Sequence, residues 1–177
     1  MKKVVIGICL ILVFFIIYVL QISVFSNFTI AGVKPNLFII FILFIGLFAN
    51  QILGISFGVV CGLIIDLLYG KVIGTSAIML CIIGYLGAYF DENFSKDNKL
   101  TIIIMVAGAT FIYELGVYFL NSIILDFSRE YINFIRIAII EVLYNVLLTI
   151  LLYPIIQKAG YLIDRNVKQN NILTRYF

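Results

Sequence analysis

Histidine is absent from these 177 residues, and so is tryptophan. Without imidazole, His-based catalytic dyads and imidazole metal sites are excluded. Charge is scarce too. Asp, Glu, Lys and Arg make up 12% of the chain, against roughly 25% in a soluble domain. The three cysteines, Cys9, Cys61 and Cys81, lie far apart in apolar runs, so neither a disulfide framework nor a zinc site can be read from them. They read as small core-packing side chains. There is no dense basic run and no polar stretch long enough to form a soluble domain, which leaves nothing to bind nucleic acid.

What fills the chain instead is hydrocarbon. It is 64% hydrophobic with a mean hydropathy of +1.19, so lipid rather than water is its main solvent. A membrane-crossing helix needs about 20 apolar residues. Six runs answer that description, at 4–25, 36–51, 52–69, 77–90, 100–125 and 134–156. The first has a basic start and is longer than the roughly 7–15 apolar residues of a signal peptide, so it reads as a retained span. The second is short, and Pro35 is expected to open it, because a first helical position does not need the missing N–H. The second and third runs are expected to form a tight hairpin. The sixth is expected to end near Pro154, leaving a basic tail over 157–177.

Six spans put both termini on one side. Eight of the 12 Lys and Arg residues then fall on the N-terminal side, and cytoplasmic segments carry the excess of such residues. The expectation is an all-α integral membrane protein: one domain over 1–177, a bundle of six helices, N-in and C-in. The tail mixes apolar residues with cations and either lies on the anionic inner leaflet or is simply solvated.

Within the third run, "GISFGVVCGLIIDLLYG" places Gly54, Gly58 and Gly62 four residues apart, with Asp66 and Gly70 continuing the series. Residues at this spacing share a helix face. Glycines on one face form a groove that lets another helix approach closely where lipid supplies no hydrophobic drive. The occupant is another span of this chain or a partner's. Asp66 faces the same packed side. An intramembrane carboxylate costs about 2.5–3.5 kcal/mol on insertion scales, so it is expected to be paired or functional.

Counted from the inner face, Asp66, Glu114 and Glu141 fall at a similar height in their own spans, three acids at one level. With Asn145 and the nearby tyrosines they suggest a polar layer, and Arg136 or Lys71 is expected to neutralise at least one of the acids. Structural glue, a solute or proton path, and a partner interface are the open readings of this layer. Catalysis reads poorly, since Asp66 is the only mid-span Asp and no Ser sits beside a base.

"KPNLFII" and "GISFGVVCGLIIDLLYGKVIGTSAIMLCIIGYLGAYF" together resemble the rod shape-determining protein MreD family of bacteria. The matching features are Lys34-Pro35-Asn36, Asp66-Leu67-Leu68-Tyr69-Gly70, Ala77 and Gly84-Tyr85-Leu86. Asn36 stands where Asp is frequent in that family, Tyr69 where Ser is common, and Asn50-Gln51 where a cation is expected.

The resemblance implies a non-enzymatic, multi-pass protein of the bacterial cytoplasmic membrane, without cofactor or metal. It would act in the cell-elongation complex with MreC, the actin-like MreB, RodA and a class B penicillin-binding protein. Gly54, Gly58, Gly62, Asp66, Gly70 and Gly74 are the expected partner-binding face. A second resemblance is to the substrate-binding components of energy-coupling-factor vitamin transporters. Those dock through a small-residue pattern in the first span, where this chain is bulky.

Overall fold

The computed structural model describes residues 2–25, 27–70, 72–94, 96, 98–125 and 131–167. It is all-helical: α1 (Lys2–Ser23), α2 (Leu37–Phe48), α3 (Gln51–Tyr69), α4 (Thr75–Asn93), α5 (Lys99–Leu125) and α6 (Tyr131–Val167). Four of these, α1, α3, α5 and α6, are long and apolar enough to cross a membrane. α2 and α4 are not among them.

α2 explains the short second run. Its 12 residues are all buried. At 1.5 Å per residue it reaches about 18 Å, well short of a hydrocarbon core of about 30 Å. A helix that is apolar all round belongs inside a bundle, and α2 is the central rod around which the other helices pack. Pro35 does not begin it. Asn36 is the N-cap in an extended conformation (φ −113°), and its side chain accepts from the Phe38 N–H at 3.2 Å. Proline therefore sits one residue outside the helix. Ala49 and Asn50 alone separate α2 from α3, and Asn50 caps α3 by accepting from the Leu53 N–H at 2.8 Å.

The glycine groove of α3 is filled from within the chain. A methyl group built on Gly58 would overlap the Leu80 carbonyl oxygen, and one on Gly62 would overlap Ala77, both on α4. On Gly54 it would lie 2.7 Å from the Gly84 carbonyl oxygen and 2.9 Å from Gly46 Cα of α2. Gly46, Gly84 and Gly87 complete the contact from the other two helices. Three backbones thus meet where no side chain intervenes, and dispersion between them replaces the hydrophobic drive that lipid lacks. A partner's helix has no room at Gly54, Gly58 or Gly62.

α6 does not stop at Pro154. It continues to Val167, so 157–167 is helix rather than tail, while 168–177 lies outside the described residues. Membrane helices tolerate an interior proline when neighbours re-satisfy the freed backbone. The extension is held at its end. Phe48 packs edge-on against Tyr161 at 5.7 Å and lies over Gly160, where a Cβ would strike the ring. α1 is the outlier. Most of its large apolar side chains are exposed, from Val5 to Leu20.

Gly58→Ala should lower the unfolding midpoint in detergent by an amount corresponding to about 1–3 kcal/mol, the usual cost of overpacking. Gly108→Ala, where nothing lies within 4 Å, should leave it unchanged or raise it. Equal midpoints for the two variants would contradict the packing described.

Candidate functional site

One set of polar side chains gathers at the end where α1, α3 and α5 finish and α2, α4 and α6 begin. Their first task is set by the backbone. The opening turns of a helix leave N–H groups without partners, and inside a bundle water does not supply them. Asp66, 2% exposed, meets this need for α4. Its Oδ2 accepts from Gly74 N–H at 2.8 Å and Ala77 N–H at 3.2 Å, and its Oδ1 from Ser76 N–H at 3.1 Å. Gly74 makes the geometry possible with φ +103°, a left-handed conformation that favours glycine. Hydrogen bonds to a carboxylate contribute about 1.5–3 kcal/mol each. Three of them offset the roughly 2.5–3.5 kcal/mol insertion cost of the acid.

α2 is served in the same way by two other helices. Gln21 of α1 accepts from Leu37 N–H at 3.1 Å and donates to the Pro35 carbonyl at 2.7 Å. Asn145 of α6, fully buried, accepts from Asn36 N–H at 2.9 Å and donates to Thr110 of α5 at 3.1 Å. The Tyr113 hydroxyl lies within hydrogen-bonding reach of Ser76 and Asn36. Asp66, Ser76, Asn36, Asn145 and Thr110 thereby gather with Tyr113 at one end of the bundle.

Glu114 and Glu141 come together beside it, within hydrogen-bonding reach of each other. Asp66 is not part of this pair. Glu141 is 7% exposed, and its Oε1 has no hydrogen-bond partner. Arg136 does not neutralise it. Its guanidinium is exposed and donates to the Ala31 carbonyl at 3.4 Å. Five residues apart on one helix, the two side chains point about 140° away from each other. The ion pairs found among the described residues belong to Lys96 instead. Lys71 and Arg129 lie outside the described residues.

A cavity of about 400 Å³ opens over Glu141, lined also by Gln21, Lys34, Asn36, Ile65 and Ile137. Its rim is the turn at Ile30–Val33, closed by reciprocal backbone hydrogen bonds of 3.0 and 2.9 Å, with Ala31 at φ +51° and Gly32 at +82°. Tyr144 holds the strap from α6, donating to the Phe28 carbonyl at 3.1 Å. Gln21, Thr110 and Ser76 were not expected in this layer. Each is a single polar residue in or beside an apolar run, and only the tertiary placement shows which helix end it serves.

The opposite end carries a second polar cluster that sequence reading passed over. Lys96 Nζ lies 2.8 Å from both Asp91 and Asp164, and 5.2 Å from the centre of the Phe48 ring. It ties the α4–α5 connection to the far part of α6. Burial works against its charged form, but hydrogen bonds and attraction from Asp164 and Asp91 outweigh this and hold Lys96 above the ordinary lysine value.

The family model for the rod shape-determining protein MreD matches residues 1–160. No curated protein and no solved structure matches the chain. With all but the end of the chain covered, this protein belongs to the MreD family.

Asp66→Ala should destabilise the fold by about 1–3 kcal/mol for each amide left unpaired, and Asp66→Asn by less, read as thermal unfolding midpoints. An unchanged midpoint in Asp66→Ala would contradict the capping role. The Lys96 contact should behave oppositely to a carboxylate-limited one. Because its pKa is raised in the fold, its stabilisation is complete below the unfolded lysine value and is lost as pH rises above about 10.5. Wild type and Lys96→Met should therefore differ in midpoint at pH 8, and the difference should shrink as pH rises above about 10.5. A constant difference would contradict this.

Proposed function

Taking family membership as the premise, we propose that this chain is a non-enzymatic membrane component of the bacterial cell-elongation complex. It supports lateral peptidoglycan synthesis and cell shape by packing against partner membrane proteins. The observation that carries the reading is the MreD match over residues 1–160, which spans the bundle almost to the end of α6.

The same reading sets the chain in the cytoplasmic membrane as six passes with both termini inside. The Lys96 end is then cytoplasmic and the Asp66 end faces outward. The distribution of Lys and Arg supports this orientation. α2 crosses within the shelter of the other helices, where a short span needs no lipid match, and α4 crosses with Ile78, Ile82, Tyr85 and Tyr89 on an exposed face.

MreC is the proposed direct partner, with RodA, a class B penicillin-binding protein and MreB in the wider complex. With α4 seated in the glycine groove, the contact moves to the outside of the bundle. The favoured surface is an apolar groove of about 330 Å³ between α1, α2 and α6, lined by residues including Leu10, Val13, Phe41, Phe44 and Ile156. Grooves of this kind bind helices by packing, which is the mode available between spans in lipid.

A photoreactive residue at Val13, on the groove, should yield an adduct with MreC in growing cells. The same residue at Ile104, exposed on α5, should not. Capture of an ATP-driven transporter module at Val13, or equal MreC capture at both positions, would contradict the reading.

A further inference from the structure

The last turns of α6 carry charges that the bundle does not use. At 37 residues and 1.5 Å per residue the helix is about 55 Å long, against a hydrocarbon core of about 30 Å. Asp164, near its end, meets Lys96 of the polar α4–α5 connection at 2.8 Å. The surplus length therefore lies where the neighbouring helices finish, at headgroup level.

Helical phase sorts the charges of this segment. Lys158 and Arg165, seven residues apart, lie within about 20° of each other around the helix, and Asp164 lies about 100° or more from both. Both cations are exposed, and neither forms an ion pair among the described residues. The acids Asp91 and Asp164 turn to Lys96 instead. Glu92 is exposed at the end of α4, but so is Lys99 at the start of α5. The described surface at this end is thus basic, and its most basic strip is on α6.

That strip is also apolar. Ile155 and Leu162, on either side of Lys158, are 66% and 65% exposed. With Lys158 and Arg165 they fit within an arc of about 80°. Exposed apolar side chains interleaved with exposed cations form the pattern of a helix at a membrane interface, where hydrocarbon reaches the acyl chains and charge reaches the phosphates. A small soluble anion would use the cations and leave the apolar pair in water. A lipid uses both.

We propose that this face of α6 binds an anionic phospholipid, with Lys158 and Arg165 against its headgroup and Ile155 and Leu162 against its acyl chains. The orientation proposed above makes this the cytoplasmic leaflet, whose anionic lipids attract basic segments. The binding itself rests neither on that orientation nor on the elongation role, and the face is the opposite side of α6 from the apolar groove.

The full chain, purified in detergent, would be titrated with phosphatidylglycerol and with phosphatidylcholine and read by native mass spectrometry. Phosphatidylglycerol should bind more tightly. Lys158→Gln and Arg165→Gln should each weaken it about fivefold, equivalent to about 1 kcal/mol, and together about 25-fold. Lys34→Gln, altered at an exposed cation of the other end, should change nothing. In nanodiscs, an environment-sensitive fluorescent residue at Leu162 should emit at shorter wavelength with phosphatidylglycerol than with phosphatidylcholine, and the double variant should abolish the difference. Equal binding of the two lipids, unchanged affinity in the double variant, or an equal loss in Lys34→Gln would overturn the proposal. So would tighter binding of a polyglutamate peptide than of phosphatidylglycerol, lost in the double variant, which would assign the cations to an acidic protein partner. None of these outcomes bears on capture of MreC at Val13, so the two readings fail separately.

Discussion

The bundle depends on satisfying backbone N–H groups at helix starts that water does not reach. Asp66 is the clearest case: one carboxylate on α3 receives three amides from the first turn of α4. Gln21 and Asn145 do the corresponding work for α2 from opposite sides. Soluble proteins leave such groups to solvent or to a local side chain. Here the capping groups come from other helices, so each cap is also a tertiary tie, and the register of α1, α3 and α6 against the core is set by them.

The glycines and the acid answer one another. Close approach of α3 to α4 brings Ala77 against Gly62, and that approach puts the start of α4 within reach of Asp66. Without the acid, buried amides would lack acceptors. Without the glycines, the acid would not reach them. The result is a dense unit of α2, α3 and α4, with α5 and α6 against it and α1 at its edge. The interior is dense, and apolar helix faces are turned outward, those of α1 above all.

Much of this was legible in the residues. Six helices, the near-absent loop between α2 and α3, and a packed glycine face ending in a buried Asp all follow from apolar run length and four-residue spacing. The expectation had Asp66, Glu114 and Glu141 at one level; Asp66 is taken up by the start of α4, while Glu114 and Glu141 lie beside each other. What was not legible has physical causes. A sequence shows that Gly58 leaves space but not that Leu80 fills it, because pairing of faces is a tertiary property. α2 looked like a short membrane span because a wholly buried helix and a lipid-facing one have the same composition. Pro154 looked like an exit because its cost in water is higher than in a bundle. Arg136 was the natural counter-ion by proximity in sequence, but helical phase turns it away from Glu141. Lys96 gave no signal beyond lying in a polar connection, since its partner Asp164 is distant in the chain and lies beyond the expected end of the last span.

The account's central claim is that the first turn of α4 is sealed by Asp66 inside the bundle. Amide hydrogen exchange at Gly74, Ser76 and Ala77 in the full chain tests it most directly. Those amides should be protected to the same degree as the middle of α4, and protection should be lost selectively in Asp66→Ala. Exchange at the rate of a frayed helix end in the unaltered protein would contradict the account.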